Sequence, residues 1–327
     1  MSISAVKIQD AKFTDLGLSK MIVNESQTCC YTRSLGTVSE KNPVLVLVHG
    51  YPQSAYMWRH LIPLLPSNAP LFIPDLPGYG SSAPIKQNDK LNAGNTLLSA
   101  LRTQMKRYTS SSSSSDLPVV LIGHDRGARV AHRLSVSGAD GIKILGICLI
   151  DIVPTLTQWS ASGDSANAVG TFHWPLLANV ELAFAMITAY GGDRWCTKMI
   201  ERWSGTNSTG LQSLKSDDSI HVYGEFFKDP SVIRASNEDY KFGAFEDVEQ
   251  QKEDQEAGRK IGVPVLLVYS EDYLGGRYDV TKEWSDWVKE GTKITSHGLG
   301  NGIGHFGVEE APQETVNAIL DWLKGLK

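Results

Sequence analysis

Short apolar runs recur along the chain, each ending in turn-forming residues. Val44-Leu45-Val46-Leu47-Val48 is unbroken by polar positions and stops at His49-Gly50. Leu71-Phe72-Ile73-Pro74-Asp75 is followed by the turn-rich Pro77-Gly78-Tyr79-Gly80-Ser81-Ser82, and further runs cover Val119–Ile122, Ile144–Ile150 and Val263–Tyr269. Strands without polar alternation are buried on both faces, which is the signature of a parallel sheet. Helical patterns lie between them at Thr96–Tyr108 and Ala128–Val136, and a last one runs from Gln313 to Leu326. Strand and helix in alternation predict an α/β fold, a mostly parallel sheet with helices on both faces. Two segments break the rhythm. The six-serine tract Ser110–Ser115 reads as a surface loop before the third of these strands. Residues 153–260 hold no strand run, and are rich in Trp, Phe and helix formers such as Leu182-Ala183-Phe184-Ala185-Met186-Ile187. The expected organisation is therefore a core of residues 1–152 and 261–327 with a helical cap, 153–260, over the carboxyl ends of the strands, where ligands of open α/β sheets bind. The chain has no internal repeat.

Composition narrows the class. With 327 residues, 41% of them hydrophobic, the chain can bury a substantial core. A formal charge of −5 gives no electrostatic footprint for nucleic acid or an anionic membrane surface. No apolar run approaches the roughly 20 residues of a membrane span, and Met1-Ser2-Ile3-Ser4-Ala5-Val6-Lys7 lacks the pattern of a secretory signal. The four cysteines, two of them adjacent at Cys29-Cys30, match neither a disulfide framework nor a zinc site. The expectation is a cytoplasmic protein with reduced thiols, no metal and no cofactor.

Gly123-His124-Asp125-Arg126-Gly127 lies between a buried-strand run and a helical run. This context fits a nucleophile elbow, the sharp strand-to-helix turn whose flanking glycines let the backbone bend. The plain alternative is an aspartate capping the next helix. In an elbow, a carboxylate is already ionised at neutral pH and can displace a leaving group from saturated carbon, forming an ester that must be hydrolysed. His305, in Gly302-Ile303-Gly304-His305-Phe306, stands where the base comes in the order nucleophile, acid, histidine. Two carboxylates compete to orient it: Asp151, after the strand ending Leu149-Ile150, and Asp272, beside Glu271 after the next strand. Spacing alone does not choose between them. Arg126 and Arg129, three apart, share one helix face and can depress the Asp125 pKa or hold an anionic substrate; structural salt bridges are the alternative. The loop His49-Gly50-Tyr51-Pro52 offers an amide that, with that of Arg126, can form an oxyanion hole. By themselves His173-Trp174 read as cap packing.

These motifs together resemble the fluoroacetate (haloacetate) dehalogenases of the α/β-hydrolase superfamily. The matching pieces are His49-Gly50-Tyr51-Pro52-Gln53 with Met57-Trp58, Asp75-Leu76-Pro77-Gly78-Tyr79-Gly80, and Gly123-His124-Asp125-Arg126-Gly127-Ala128-Arg129. They continue with Leu149-Ile150-Asp151-Ile152-Val153-Pro154-Thr155, His173-Trp174, Glu238-Asp239-Tyr240, Gly276-Arg277-Tyr278-Asp279-Val280 and Gly304-His305-Phe306. The resemblance implies an α/β-hydrolase fold with an inserted helical cap and no cofactor. It implies Asp125 as nucleophile, His305 as base and Asp151 as acid. Arg126, Arg129 and Tyr51 would hold a short 2-halocarboxylate, and His173, Trp174 and Tyr240 would donate to the departing halide. Three departures stand out: the serine tract, the extra acidic pair Glu271-Asp272, and the loosely matching segment 175–231. Two other readings remain. One is an epoxide hydrolase using the same ester and the cap tyrosines Tyr190, Tyr223 and Tyr240, against which stands Arg126 in place of an apolar aromatic. The other is a catalytically idle binder of small molecules, disfavoured because all three catalytic positions are filled. The expected partner is a small-molecule substrate, with a homodimer allowed for and neither nucleic acid nor membrane.

Overall fold

A computed structural model describes residues 4–23, 25–108 and 116–326. Its sheet has eight strands: β1 (Ser19–Val23), β2 (Thr28–Arg33), β3 (Val44–Val48), β4 (Leu71–Pro74), β5 (Leu117–His124), β6 (Ile142–Ile150), β7 (Val265–Ser270) and β8 (Ile294–Leu299). The spatial order is β1-β2-β4-β3-β5-β6-β7-β8. β1 pairs with β2 and β2 with β4 in antiparallel fashion, and every other neighbouring pair is parallel. All five residues of β3 are buried, as are the last six of β5, because helices cover both faces at the sheet centre.

Three helices belong to the first half: α1 (Ala5–Asp15), α2 (Lys90–Met105) and α3 (Arg126–Ser137). α2 begins six residues before the Thr96 that the apolar pattern suggested. The Asp89 side chain caps it, accepting from the amides of Leu91 and Asn92, each at 3.1 Å, so the polar stretch Lys90–Asn95 is helical too. α1, β1 and β2 were not foreseen. α1 buries only Ala5, Gln9 and Phe13, a stripe too thin to read, and β2 is the mixed sequence Thr-Cys-Cys-Tyr-Thr-Arg. β7 starts at Val265, after Pro264, whose carbonyl accepts from the Ile147 amide at 3.0 Å. The serine tract Ser110–Ser115 lies outside the described residues.

Between β6 and β7 the described chain is helical, from Thr155 to Glu256, with no strand. The longest of these helices, Pro230–Ala244, starts with Asp229 accepting from Ser231 N at 2.8 Å and with Pro230 in its first turn. Buried ion pairs fasten the segment to the core helices: Arg126 to Asp239, Lys90 to Asp239 and Asp247, and Arg133 to Asp254. No helix among the described residues is long and apolar enough to cross a membrane.

Candidate active site

The residue between β5 and α3 is Asp125, with φ 45° and ψ −113°, a strained conformation for a side chain with a Cβ. Its neighbours permit the bend. A Cβ on Gly123 would come within 2.4 Å of the Gly127 carbonyl, and one on Gly127 within 2.2 Å of the Val48 carbonyl oxygen. Both positions therefore demand glycine on space alone. The turn lifts the Asp125 side chain above the carboxyl end of the sheet, where Oδ2 accepts from the Tyr51 amide at 2.9 Å.

That amide is set by its own supports. His49, fully buried, accepts from Leu76 N at Nε2 (2.9 Å), which leaves Nδ1–H to donate to Gly50 O at 3.0 Å. Burial holds the ring neutral, with its pKa lowered to about 4.

The imidazole of His305, on the loop after β8, donates from Nδ1 to Asp151 Oδ2 at 2.5 Å. Asp151 follows β6 with φ 55°, and its Oδ1 accepts from Ser270 N at 2.9 Å, so two elements fix the carboxylate. The other contender is elsewhere: Asp272 is exposed, and the Glu271 carboxyl lies against the backbone of Gly298 and Gly300. The proton on Nδ1 leaves Nε2 of the neutral ring as an acceptor. Below the ring lies buried His124, 4.6 Å away between centroids, whose Nε2 donates to the His305 carbonyl at 2.8 Å. Burial would lower the His305 pKa, but the bond to Asp151 and the charges of Asp151 and Asp125 outweigh it, and the ring titrates above its usual value. For Asp125 burial pushes upward, yet His305, Arg126, His124 and Arg129 hold the carboxyl below its ordinary value.

Asp125, Asp151 and His305 share one cavity of about 40 Å³ with Arg129, His173, Trp174 and Tyr240. Helices of the 155–256 segment supply the last three, so the cavity lies between that segment and the strand ends. His173 is held neutral by burial, its pKa lowered to about 3, and its Nδ1 is buried without a partner.

The two arginines diverge. Arg129 donates to Val153 O and Thr155 Oγ1, each at 3.0 Å, and its guanidinium carbon lies 4.6 Å from the Trp174 ring centroid. Burial and the Arg126 charge lower its pKa to about 10. Arg126 does not border the cavity. It lies 4.2 Å from the Tyr240 ring centroid and donates to Asp239 from Nε (2.8 Å) and Nη2 (2.8 and 2.9 Å), with Nη1 buried and unbonded. Tyr51 contributes its amide rather than its ring: the hydroxyl accepts from Trp195 Nε1 at 2.5 Å.

Seven lining residues were given no role from the sequence, among them Gln158, Trp203, Tyr273 and Arg277. Trp203 had no signal, being one of several cap tryptophans. Arg277 stood in a quoted motif, on the loop after a strand, where a cation a few residues from a contending acid could have been noticed.

Comparison with known proteins agrees with this architecture. Residues 45–318 match the Alpha/beta hydrolase family. A fluoroacetate dehalogenase from Burkholderia sp is 25% identical over 288 residues, 88% of this chain and 88% of that protein. A soluble epoxide hydrolase from Corynebacterium sp. (strain C12) is 28% identical over 294 residues, 86% of this chain and 91% of that protein. The crystal structure of an alpha/beta hydrolase from Nostoc sp PCC 7120 superposes with a TM-score of 0.77 at 29% identity, covering 95% of this chain and 99% of the other. With its sheet order, elbow and matched length, this chain belongs to the alpha/beta hydrolase family, is related to haloacetate dehalogenases, and is a hydrolase.

Proposed function

We propose that this hydrolase displaces halide from a short 2-halocarboxylate through an ester on Asp125. One observation carries the reading: a buried, ionised aspartate shares a cavity of about 40 Å³ with an Asp151–His305 pair and with Arg129, a guanidinium bonded only to neutral oxygens. A space of that size holds only a few non-hydrogen atoms. It suits a haloacetate better than a bulky epoxide.

In the first step a lone pair of Asp125 Oδ1 attacks the carbon bearing the halogen, and the C–X pair departs as halide. His173, Trp174 and Tyr240 give the halide an imidazole, an indole and a phenol as donors with no competing charge. Burial keeps His173 neutral and pushes the Tyr240 pKa far up, so both retain their protons. In the second step His305 Nε2 takes a proton from water, and the hydroxide adds to the ester carbonyl carbon. Oδ2, already bonded to the Tyr51 amide, carries the oxyanion. Collapse breaks the Cγ–Oδ1 bond, and Oδ1 leaves as the hydroxyl of the 2-hydroxy acid with the proton from His305, while the water oxygen stays in the carboxylate. Esterification cancels the Asp125 charge, one of the influences that raise the His305 pKa. The ring is thereby readied as a base when a base is needed.

The substrate carboxylate is held by Arg129; Arg126, outside the cavity lining, has an unbonded Nη1. Both lie at Trp174, with guanidinium carbons 4.6 and 5.5 Å from its centroid. The test is halide release from chloroacetate and fluoroacetate beside a panel of small epoxides, in wild type and Arg129→Met. Loss of one guanidinium from a desolvated carboxylate site costs about 2–5 kcal/mol. The haloacetates should lose kcat/KM accordingly, with little effect on any neutral substrate, and Arg129→Lys should not restore it because the planar fork is gone. Preference of the wild type for epoxides would overturn the reading.

The epoxide hydrolase alternative is favoured by Tyr240, which borders the cavity and can activate a ring oxygen. Its other two tyrosines weaken it: Tyr190 is 45% exposed, and Tyr223 is buried with its hydroxyl on Glu309 at 2.8 Å.

A further inference from the structure

The cavity has a second guanidinium at its border, Arg277, on the loop that follows β7. The loop holds this arginine in place. Its amide donates to Leu274 O at 3.0 Å, its Nε donates to Tyr273 O at 3.0 Å, and its guanidinium carbon lies 4.4 Å from the Tyr273 ring centroid. Stacked and bonded in this way, the side chain loses little further freedom on meeting a ligand. Its Nη1 faces the other wall: a Cβ on Gly170 would be 3.9 Å from it, and the next residue, Thr171, also lines the cavity. Arg277 therefore spans the seam between the helical segment and the strand-end loop, half-buried, whereas Arg129 is buried at the inner end.

The charge balance of the arginines singles it out. Arg59, Arg126 and Arg133 are all buried, and each pairs with a carboxylate, Glu309, Asp239 and Asp254 respectively. Arg129 and Arg277 make no ion pair among the described residues; the hydrogen bonds of both go to neutral oxygens. Two guanidiniums outside any direct ion pair, one at the seam and one inside, border the same small cavity. The cavity's two carboxylates, Asp125 and Asp151, are buried, whereas Arg277 is half-buried at the seam, and a cation set between low-dielectric walls raises the local concentration of anions.

We infer that Arg277 is a specificity-determining residue, which captures the carboxylate of an anionic substrate at the seam and delivers it to Arg129. The inference rests on the haloacid reading above and assigns to Arg277 the entry side of carboxylate recognition. Because it acts on binding and encounter rather than on the ester, its loss raises KM more than it lowers kcat.

The experiment compares wild type, Arg277→Gln and Arg277→Lys with chloroacetate at low and high sodium chloride, and measures acetate as a competitive inhibitor of each. Arg277→Gln should raise both KM for chloroacetate and the acetate inhibition constant about tenfold, with a smaller change in kcat and a flatter salt dependence of kcat/KM. Arg277→Lys should recover most of the loss, since capture at a half-open seam needs the charge more than the fork. An unchanged KM, or equal losses in kcat and kcat/KM with no rescue by lysine, overturns the role of Arg277 while leaving the haloacid reading intact. A wild-type enzyme that neither turns over chloroacetate nor binds acetate overturns both.

Discussion

At the residue scale, chemistry is concentrated in a few side chains whose partners can be removed one at a time. If Asp125 is the nucleophile, a single turnover in heavy-oxygen water places label in its carboxylate, because water adds to the ester carbonyl and not to the substrate carbon. Peptide mass spectrometry reads this directly; label confined to the product rules the ester out. His305→Gln should accumulate the ester, since alkylation requires no base and hydrolysis does. Asp151→Asn should slow ester hydrolysis by about 10³–10⁴-fold, the scale found when a triad acid is neutralised. The pH profile has a definite sign. In the proposed mechanism hydrolysis needs the neutral imidazole, so its rate should fall as pH drops through the raised His305 pKa. Asp151 supplies the bond and the largest charge that hold this value up, so the acid limb in Asp151→Asn moves to lower pH as the plateau falls. Asp272→Asn, a change at an exposed carboxylate, should leave both unaltered; the reverse pattern refutes the assignment.

At the element scale, catalytic geometry depends on backbone turns that only particular residues tolerate. The β5–α3 elbow brings Gly127 against β3, and Gly127→Ala drives a methyl into the Val48 carbonyl. We expect a loss of roughly 2–4 kcal/mol in denaturant unfolding, the range of overpacking added to backbone strain. Ester formation should fail even in the folded fraction, as the Asp125 carboxylate leaves the Tyr51 amide. The His305 loop has a comparable support. Glu310 accepts from the amides on both sides of the histidine, Gly304 at 3.0 Å and Phe306 at 3.2 Å, and from Gly205 N of the helical segment at 2.9 Å. The His305 amide itself donates to Trp203 O at 2.9 Å. One carboxylate thus fixes His305 and the facing wall of its cavity together.

At the scale of the whole molecule, the inserted helices are riveted to the sheet by charges that have left water. Asp239 receives Arg126, Lys90 and the Tyr79 hydroxyl, and burial alone would raise its pKa, but Arg126 and Lys90 outweigh burial and hold it far below the usual carboxylate range. Removing one partner from a buried set leaves cations without compensation, at a cost of about 3–5 kcal/mol. Asp239→Asn should therefore lower unfolding stability by that amount and loosen the seam over the active site. Limited proteolysis between residues 155 and 256 should become faster. Unchanged stability would mean that the cluster is solvated in practice and that packing alone holds the helices down.

The sequence by itself determined the central strands and the elbow, and it singled out the histidine that packing brings to Asp151. Each is dictated locally, by unbroken apolar runs, by glycines flanking an aspartate, or by position before the final helix. Local pattern also marked 153–260 as free of strand runs, and the described chain is helical from Thr155 to Glu256. It missed α1 and β1, which are only thinly buried, and β2, whose mixed polar residues are buried with β4 beside them. It could not choose between Asp151 and Asp272, since both follow strands; the choice required the side chain of one to reach His305 while the other faced solvent. The division of labour among the arginines was equally hidden. Arg126 and Arg129 share a helix face in the sequence, but Asp239, more than a hundred residues later, binds the first and leaves the second at the cavity beside Arg277. Chain pattern fixes which groups are present on each element. Only tertiary packing decides which of them meet, because burial and pairing depend on neighbours that are distant along the chain.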